Sequence, residues 1–473
     1  MSSGSKIVFL QSKRVWVDLI GVMYLSTALK RAGHSVAVRF VESKREVDHV
    51  VKIEKPDIAA FSVTTGLHHW AVKIAEHIKK VTPQVITVVG GHHATYLPEI
   101  ALEPSIDFAI RGEAEEAFVR FIDAVPIENP EKLPNLAWAQ NGSLKTTDLL
   151  PLVVDLDSLG MPDRDLYPTN YKYFAWNPAK MFLTSRGCPF NCLYCYGSLF
   201  KKLYTGKGPV LRFRSHEAIL DELKTTRQKY NLPIITFEDS TFNADKKWLL
   251  EFLVKYGHEI DLPFNCQLRI ELVDKETAQA LARSGCFRAC IGVETGSEKL
   301  RKMIGKSISN DDIRHGVTYL KESGIKIEAS VMFGIPEETT AEALHTIQFL
   351  RELGTEFSRV SLFQPYPNLK LTEKAVQLQL VDPYDFDKIE NSLYKSILKS
   401  ENINILVNIQ KLIYLFIKFP KLDKLLKVLI KFPPNPIFKL IYILFYLNNI
   451  YSQSNISLLD FFYYAWANRK YQN

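Results

Sequence analysis

Cysteine is scarce in this chain and unevenly placed. Of the six in 473 residues none precedes Cys188, and three fall in one short loop. So few cysteines exclude a disulfide framework and point to a reducing compartment, the cytoplasm. Long apolar runs are missing too: Leu412 to Ile417 and Leu440 to Leu447 fall far short of the roughly 20 residues a spanning helix needs. The start, with Ile7 to Leu10 after Lys6, is too short in apolar residues for a signal peptide and reads as a first strand. Charge of one sign is also in short supply, since +7 over this length gives no ground for a nucleic-acid partner. What the chain has is 47% apolar and 12% aromatic residues, ample for sizeable cores in about three domains.

The informative stretch is Gly187-Cys188-Pro189-Phe190-Asn191-Cys192-Leu193-Tyr194-Cys195, which follows the apolar run Met181-Phe182-Leu183. Thiolates this close, on a loop bent by Gly187 and Pro189, suit a soft metal centre better than a disulfide, and thiolate is the ligand of iron–sulfur clusters. Three ligands are one too few for a closed site, so one metal position stays open for a substrate or cofactor. A zinc knuckle lacking its fourth ligand is the alternative, with no histidine or further cysteine within twenty residues to complete it. The spacing, with Tyr194 before the last cysteine, resembles the radical S-adenosylmethionine (SAM) enzymes. That resemblance implies a 4Fe-4S cluster on Cys188, Cys192 and Cys195, whose open iron chelates SAM.

Residues 1–140 alternate strand-like and helix-like patterns, as a doubly wound parallel sheet does. Strands are expected at Ile7–Leu10, Val36–Phe40, Asp57–Val63, Val85–Val89 and Phe108–Ile110, with helices at Gly21–Ala32 and Trp70–Val81. Ligands in such sheets bind outside the carboxyl ends of strands. The candidates there are Ser62, Thr64 and Thr65, then Gly90, Gly91 and His92, then Gly112 and Glu113 after Arg111. Glycine lets a flat cofactor approach the backbone, and hydroxyls can contact its edges. Gly90-Gly91-His92 before Pro98, and Asp107 to Glu116, look like the cobalamin-binding domain that precedes many radical SAM domains. The D-x-H-x-x-G motif that supplies a histidine to cobalt is absent, the chain reading Trp16-Val-Asp-Leu-Ile20 before Gly21, so the resemblance implies cobalamin without that ligand.

Residues 141–175 have the proline content of a linker. In residues 176–385 strands again alternate with helices, and polar residues recur at the strand ends: Glu238-Asp239 after Ile234–Phe237, Arg269 in Phe264–Ile270, Glu294 after Cys290–Val293. That is where a (β/α) barrel gathers its site, and the spacing suits about six units, a partial barrel. The resemblance places Tyr194, Glu238, Asp239, Arg269 and Glu294 around SAM. Glu338 reads as a helix cap, and Cys266, Cys286 and Cys290 read as structural. Residues 386–473 read as a helical extension in which Lys421, Lys424, Lys427 and Lys431 share one face and Leu422, Leu425, Leu426 and Leu429 another. Such a face suits peripheral contact with an anionic membrane or, equally, a cap on the barrel.

The resemblance implies an enzyme that cleaves SAM reductively and, with cobalamin, methylates an unactivated carbon of a small-molecule or lipid-like substrate, drawing electrons from a flavodoxin or ferredoxin type donor. Oxidative cyclisation or rearrangement without methyl transfer is the alternative. A methylthiotransferase would carry further cysteines in its N-terminal domain, and a cobalamin or SAM sensor would leave the thiol triad without a task.

Overall fold

The computed structural model describes residues 4–453 apart from Trp16, Pro178, Glu356 and 391–393. The last part of the expected C-terminal extension, 454–473, lies outside the described residues, as does Trp16 of the segment read for D-x-H-x-x-G. The described residues divide into two compact units, one comprising 4–180 and 199–232, the other 181–198 and 233–453.

The first unit is built on a seven-stranded sheet of β1 (Lys6–Ser12), β2 (Ser35–Val41), β3 (Ile58–Ser62), β4 (Ile86–Gly90), β5 (Phe108–Ile110), β6 (Leu136–Gln140) and β7 (Ser143–Thr146). The order is β2-β1-β3-β4-β5-β6-β7, parallel through β5 and then antiparallel. Strand β1 is buried at every position after Lys6, as a strand covered by helices on both faces must be. The antiparallel pair comes from residues with linker composition, and its turn is made by Asn141 and Gly142, both at positive φ. The helix Lys44–Glu54 begins in a reciprocal cap between Ser43 and Glu46.

Two short strands, β9 (Ser185–Arg186) and β10 (Arg212–Phe213), follow β8 (Ala179–Phe182). The second unit then contains β11 (Ile234–Phe237), β12 (Phe264–Leu268), β13 (Cys286–Glu294), β14 (Lys326–Phe333) and β15 (Phe357–Leu362), in a sheet ordered β15-β14-β13-β12-β11-β8. The pairs from β11 to β15 are parallel, giving the six-stranded partial barrel expected. Strand β13 starts four residues earlier than its sequence suggests, because Cys286 to Ala289 pair with β12 despite Arg288. Glu338 is no cap. Thr339 caps the helix Thr340–Leu353 with Glu342, while Glu338 turns back to accept from the Gly334 N–H at 2.6 Å.

The helix Ile403–Lys418 packs on this sheet. Gln410 Nε2 donates to Val360 O at 3.1 Å and Tyr414 Oη to Ser358 O at 3.0 Å, and Arg351 pairs with Asp423 at the start of the helix Asp423–Leu429. The helix Ile403–Lys418 thus covers this edge of the sheet.

Candidate functional site

The thiol loop is held by its apolar members and offers its sulfurs. Leu193 donates its N–H to Ile304 O at 2.9 Å and accepts from Leu371 N at 3.2 Å, and its side chain packs with Tyr194 against Leu300, Ile304 and Leu371. Gly187 turns the chain at φ +88, and a Cβ at Gly305 would lie 2.9 Å from Asn191 O, so both positions require glycine. All three thiols are unpaired in disulfides, and Cys195 is exposed. Each sulfur meets a polar neighbour: Arg269 Nη1 donates to Cys192 Sγ at 3.5 Å, Gly197 N to Cys195 Sγ at 3.4 Å, and Thr241 Oγ1 lies 3.4 Å from Cys188 Sγ. Hydrogen bonds of this kind stabilise thiolate and tune a metal bound to it. Free sulfurs on a clamped loop, each with such a neighbour, fit an iron–sulfur cluster.

Around the loop the strand ends differ in availability. Glu238, after β11, is exposed and accepts from Gln267 Nε2 at 2.8 Å. Arg269, after β12, stacks its guanidinium 3.8 Å over the Phe190 ring, donates from Nε to Glu271 at 2.7 Å, and exchanges backbone hydrogen bonds with the Asn243 side chain. Glu294 ends β13 at φ +64, a conformation non-glycine residues seldom adopt. Its carboxylate pairs with the buried Lys306 at 2.9 Å and accepts from the Tyr194 hydroxyl, whose pKa is raised well above the ordinary value by burial and by Glu294. Lys306 escapes sequence reading. The signal for it is Gly292, where any Cβ would collide with both Lys306 Nζ and Glu294 Oε1.

Asp239 needs correction. It is fully buried, and its carboxylate accepts from Thr184 N and Oγ1 at 3.0 and 2.9 Å and from Ser185 N and Oγ at 2.6 and 2.5 Å. Burial raises its pKa while these donors lower it. With no accessible surface, it positions the chain before the thiol loop and does not meet a ligand.

The strand ends of the first unit are used differently again. Thr64 and His92 are exposed and Ser62 and Gly90 half-buried, so these remain open to a cofactor. Thr65 is buried, with Oγ1 3.1 Å from His93 Nδ1. Gly91 is glycine because a Cβ would lie 2.8 Å from Val63 O, a packing requirement. A Cβ on Gly112, at φ +71, would collide with the Tyr204 hydroxyl, and that hydroxyl accepts from Glu113 N at 2.8 Å. The Glu113 carboxylate is taken bidentately by Arg212 at 2.8 and 2.6 Å. Gly112 and Glu113 thus anchor residues 199–232 to the first sheet. Sequence reading also missed His68, His69 and His93, which with His92 gather four of the eleven histidines at this end. His68 stacks on His93 at 4.0 Å and lies 3.8 Å from His69, and burial pushes the His93 pKa down to about 3, so it stays neutral. The doubled pairs His68-His69 and His92-His93 were the available signal. The open hydroxyls and the turn at Gly90 fit a bound cobalamin as edge contacts; Thr65, Gly91, Gly112 and Glu113 serve the fold.

Two family models match the chain: the B12 binding domain over residues 6–122 and the radical SAM superfamily over residues 182–350. An uncharacterized methyltransferase of Pyrococcus horikoshii is 29% identical, the match covering 76% of this chain and 79% of that protein. An anaerobic magnesium-protoporphyrin IX monomethyl ester cyclase of Rubrivivax gelatinosus is 24% identical over 78% of this chain and 67% of its own. Among solved structures, the radical S-adenosylmethionine methyltransferase TsrM of Kitasatospora setae, with tryptophan substrate and a SAM analogue bound, superposes with a TM-score of 0.66 at 17% identity, over 80% of this chain and 77% of that one. The chain therefore carries a B12-binding domain before a radical SAM domain, the pairing of an enzyme that works with a 4Fe-4S cluster, SAM and cobalamin.

Proposed function

We propose that this enzyme methylates an unactivated carbon of a small molecule. The observation that carries the reading is the clamped loop with three free thiols, each beside a polar group of the chain, ringed by accessible polar strand ends in a chain that also has a B12-binding domain. Bound there, cluster and SAM supply the means to remove a hydrogen atom from carbon, and cobalamin supplies the methyl group. The chain's part is positioning. Cys188, Cys192 and Cys195 would hold the cluster, with the Arg269 guanidinium donating to the Cys192 sulfur. Lys306 and Tyr194 fix the Glu294 carboxylate, and Glu238 can accept from an ammonium or ribose hydroxyl. Ser62, Thr64, Gly90 and His92 would meet cobalamin.

Anaerobic reconstitution followed by mass spectrometry of treated extracts tests this, since a substrate gaining one methylene marks methylation. The cyclase relative supports a second reading, oxidative ring closure, and a product lighter by hydrogen would replace methylation with it. Electrons would come from a flavodoxin or ferredoxin type protein.

The C-terminal helices support peripheral membrane contact as part of the same reading. No described helix is long and apolar enough to cross a membrane. Yet among the described residues eight of the eighteen large apolar side chains left exposed fall between Phe419 and Leu444. Leu422, Leu425, Val428 and Phe432 form one helical sector outward of the buried Leu426 and Ile430, and Lys424, Lys427 and Lys431 flank it. Lysines near an anionic surface contribute about 1 kcal/mol each, and inserted apolar side chains add to that. Co-sedimentation with anionic liposomes checks it: the protein should pellet, less so in high salt, and failure to pellet at low salt removes the membrane from the proposal.

A further inference from the structure

The face of the second sheet that carries the strand-end residues is polar well below its rim. Along β13, Ala289, Ile291 and Val293 are buried, whereas the alternating Arg288, Cys290 and Gly292 are partly accessible. Glu328 of β14 is almost fully buried and lies between two guanidinium groups, Arg288 at 3.5 Å and Arg359 of β15 at 3.0 Å. These three side chains therefore share that face.

Arg359 is the unusual member. Its side chain is 55% accessible against 2% for Glu328, and among the described residues Glu328 is its one ion-pair partner. It nevertheless sits deep enough that burial opposes its charge, which Glu328 more than restores. A charged group both surrounded and accessible is one that lines a concavity. Tyr394 and Tyr446 stand near it, and Tyr394, Tyr442 and Tyr414 form a chain of ring contacts at 5.3 and 5.4 Å. The register places it in height: Arg359 pairs with Ser330, while Glu294, past an irregularity in β13, pairs with Val331 and so stands level with Val360. At about 3.3 Å per residue, Arg359 lies about one residue below the Glu294 level.

We infer that Arg359 receives an oxyanion of the substrate, a carboxylate or a phosphate, within this face and below the strand-end residues, and so determines substrate specificity. Arg359 is largely accessible while its carboxylate partner is buried, and arginine presents five donors in a planar fork that fits such anions. The inference rests on the reading that this face receives the substrate. It also limits that substrate: an apolar chain laid against Arg288, Glu328 and Arg359 would desolvate charges without replacing their hydrogen bonds. A lipid-like substrate enters here only by an anionic head.

The test is independent of turnover, so its failure and the failure of methyl transfer can be told apart. Full-length protein reconstituted with cluster and cobalamin is treated with phenylglyoxal, and the rate at each arginine is followed by peptide mass spectrometry, with the exposed Arg45 as reference. Sodium phosphate, sodium acetate and sodium chloride are compared at one ionic strength. The inference expects Arg359 to react, and to react about threefold or more slowly in phosphate or acetate than in chloride, with Arg45 unchanged. Protection by phosphate alone assigns a phosphate ester, and protection by acetate assigns a carboxylate. An unreactive Arg359, equal rates in all three salts, or slowing shared by Arg45 overturns it.

Discussion

The two sheets differ in how far the fold consumes the polar residues at their strand ends. In the first, the most motif-like segment, Arg111-Gly112-Glu113, is consumed inside the protein by Tyr204 and Arg212, and Thr65 and Gly91 are likewise committed to His93 and Val63. In the second, Cys195 and Glu238 remain exposed, and Arg269 and Glu294 are held in place with functional atoms beside the thiol loop. A polar residue at a strand end thus marks a ligand site only where the fold has not already satisfied it. A motif can recur in a family because it joins two segments as readily as because it touches a cofactor.

The hardest test of this contrast is the thiol loop. Replacing Cys188, Cys192 or Cys195 by alanine is expected to abolish SAM cleavage and the cluster's absorption, while Cys266→Ala leaves both, because Cys266 is fully buried 3.9 Å from Cys286 and remote in role. Retained cleavage in Cys192→Ala would break the comparison on its open side. Next comes its closed side. Arg212→Ala strands the Glu113 carboxylate and should destabilise the protein by ~3–5 kcal/mol in urea unfolding, with a smaller loss for Glu113→Gln. Unchanged stability with lost cobalamin affinity would show Glu113 to be a ligand after all.

Glu338 gives a smaller effect with a definite sign. Burial pushes its pKa up to about 8, above the ordinary value near 4.5, so the folded protein binds a proton the unfolded chain releases. Its contribution is fully present below about pH 4.5 and is lost as pH rises through 8, on the order of a few kcal/mol. Glu338→Gln should flatten that decline, and thermal melts at pH 5 and pH 9 measure it; parallel declines in both proteins would refute the assignment. The smallest expected change is at the outer helices. Leu425→Ser with Val428→Ser should alter stability by no more than about 0.5 kcal/mol per site, since both side chains are exposed, yet weaken liposome binding.

Much of the architecture was legible because period and punctuation agree. Strands Phe108–Ile110 and Ile234–Phe237 fall where apolar runs stop at polar residues. The thiol loop was legible because three ligands of one chemistry lie within eight residues. What was hidden depends on partners distant in sequence. Nothing near Glu113 foretells Arg212, ninety-nine residues on, or that Asp239 is claimed by Thr184 and Ser185. Lys306 was hidden for the same reason, and Glu338 was misread because the next residue, Thr339, is the better cap.

A barrel that stops at six strands keeps a free margin that a closed barrel lacks. On β15 the carbonyls of Ser358 and Val360 are answered by Tyr414 and Gln410 of Ile403–Lys418, so that helix occupies a place where another strand could add. Shortening the chain near residue 400 would therefore bare a template for strand addition between molecules, and the product would be expected to self-associate. Substitutions on the outer helices, which leave Tyr414 and Gln410 in place, change the exposed apolar surface without exposing that template.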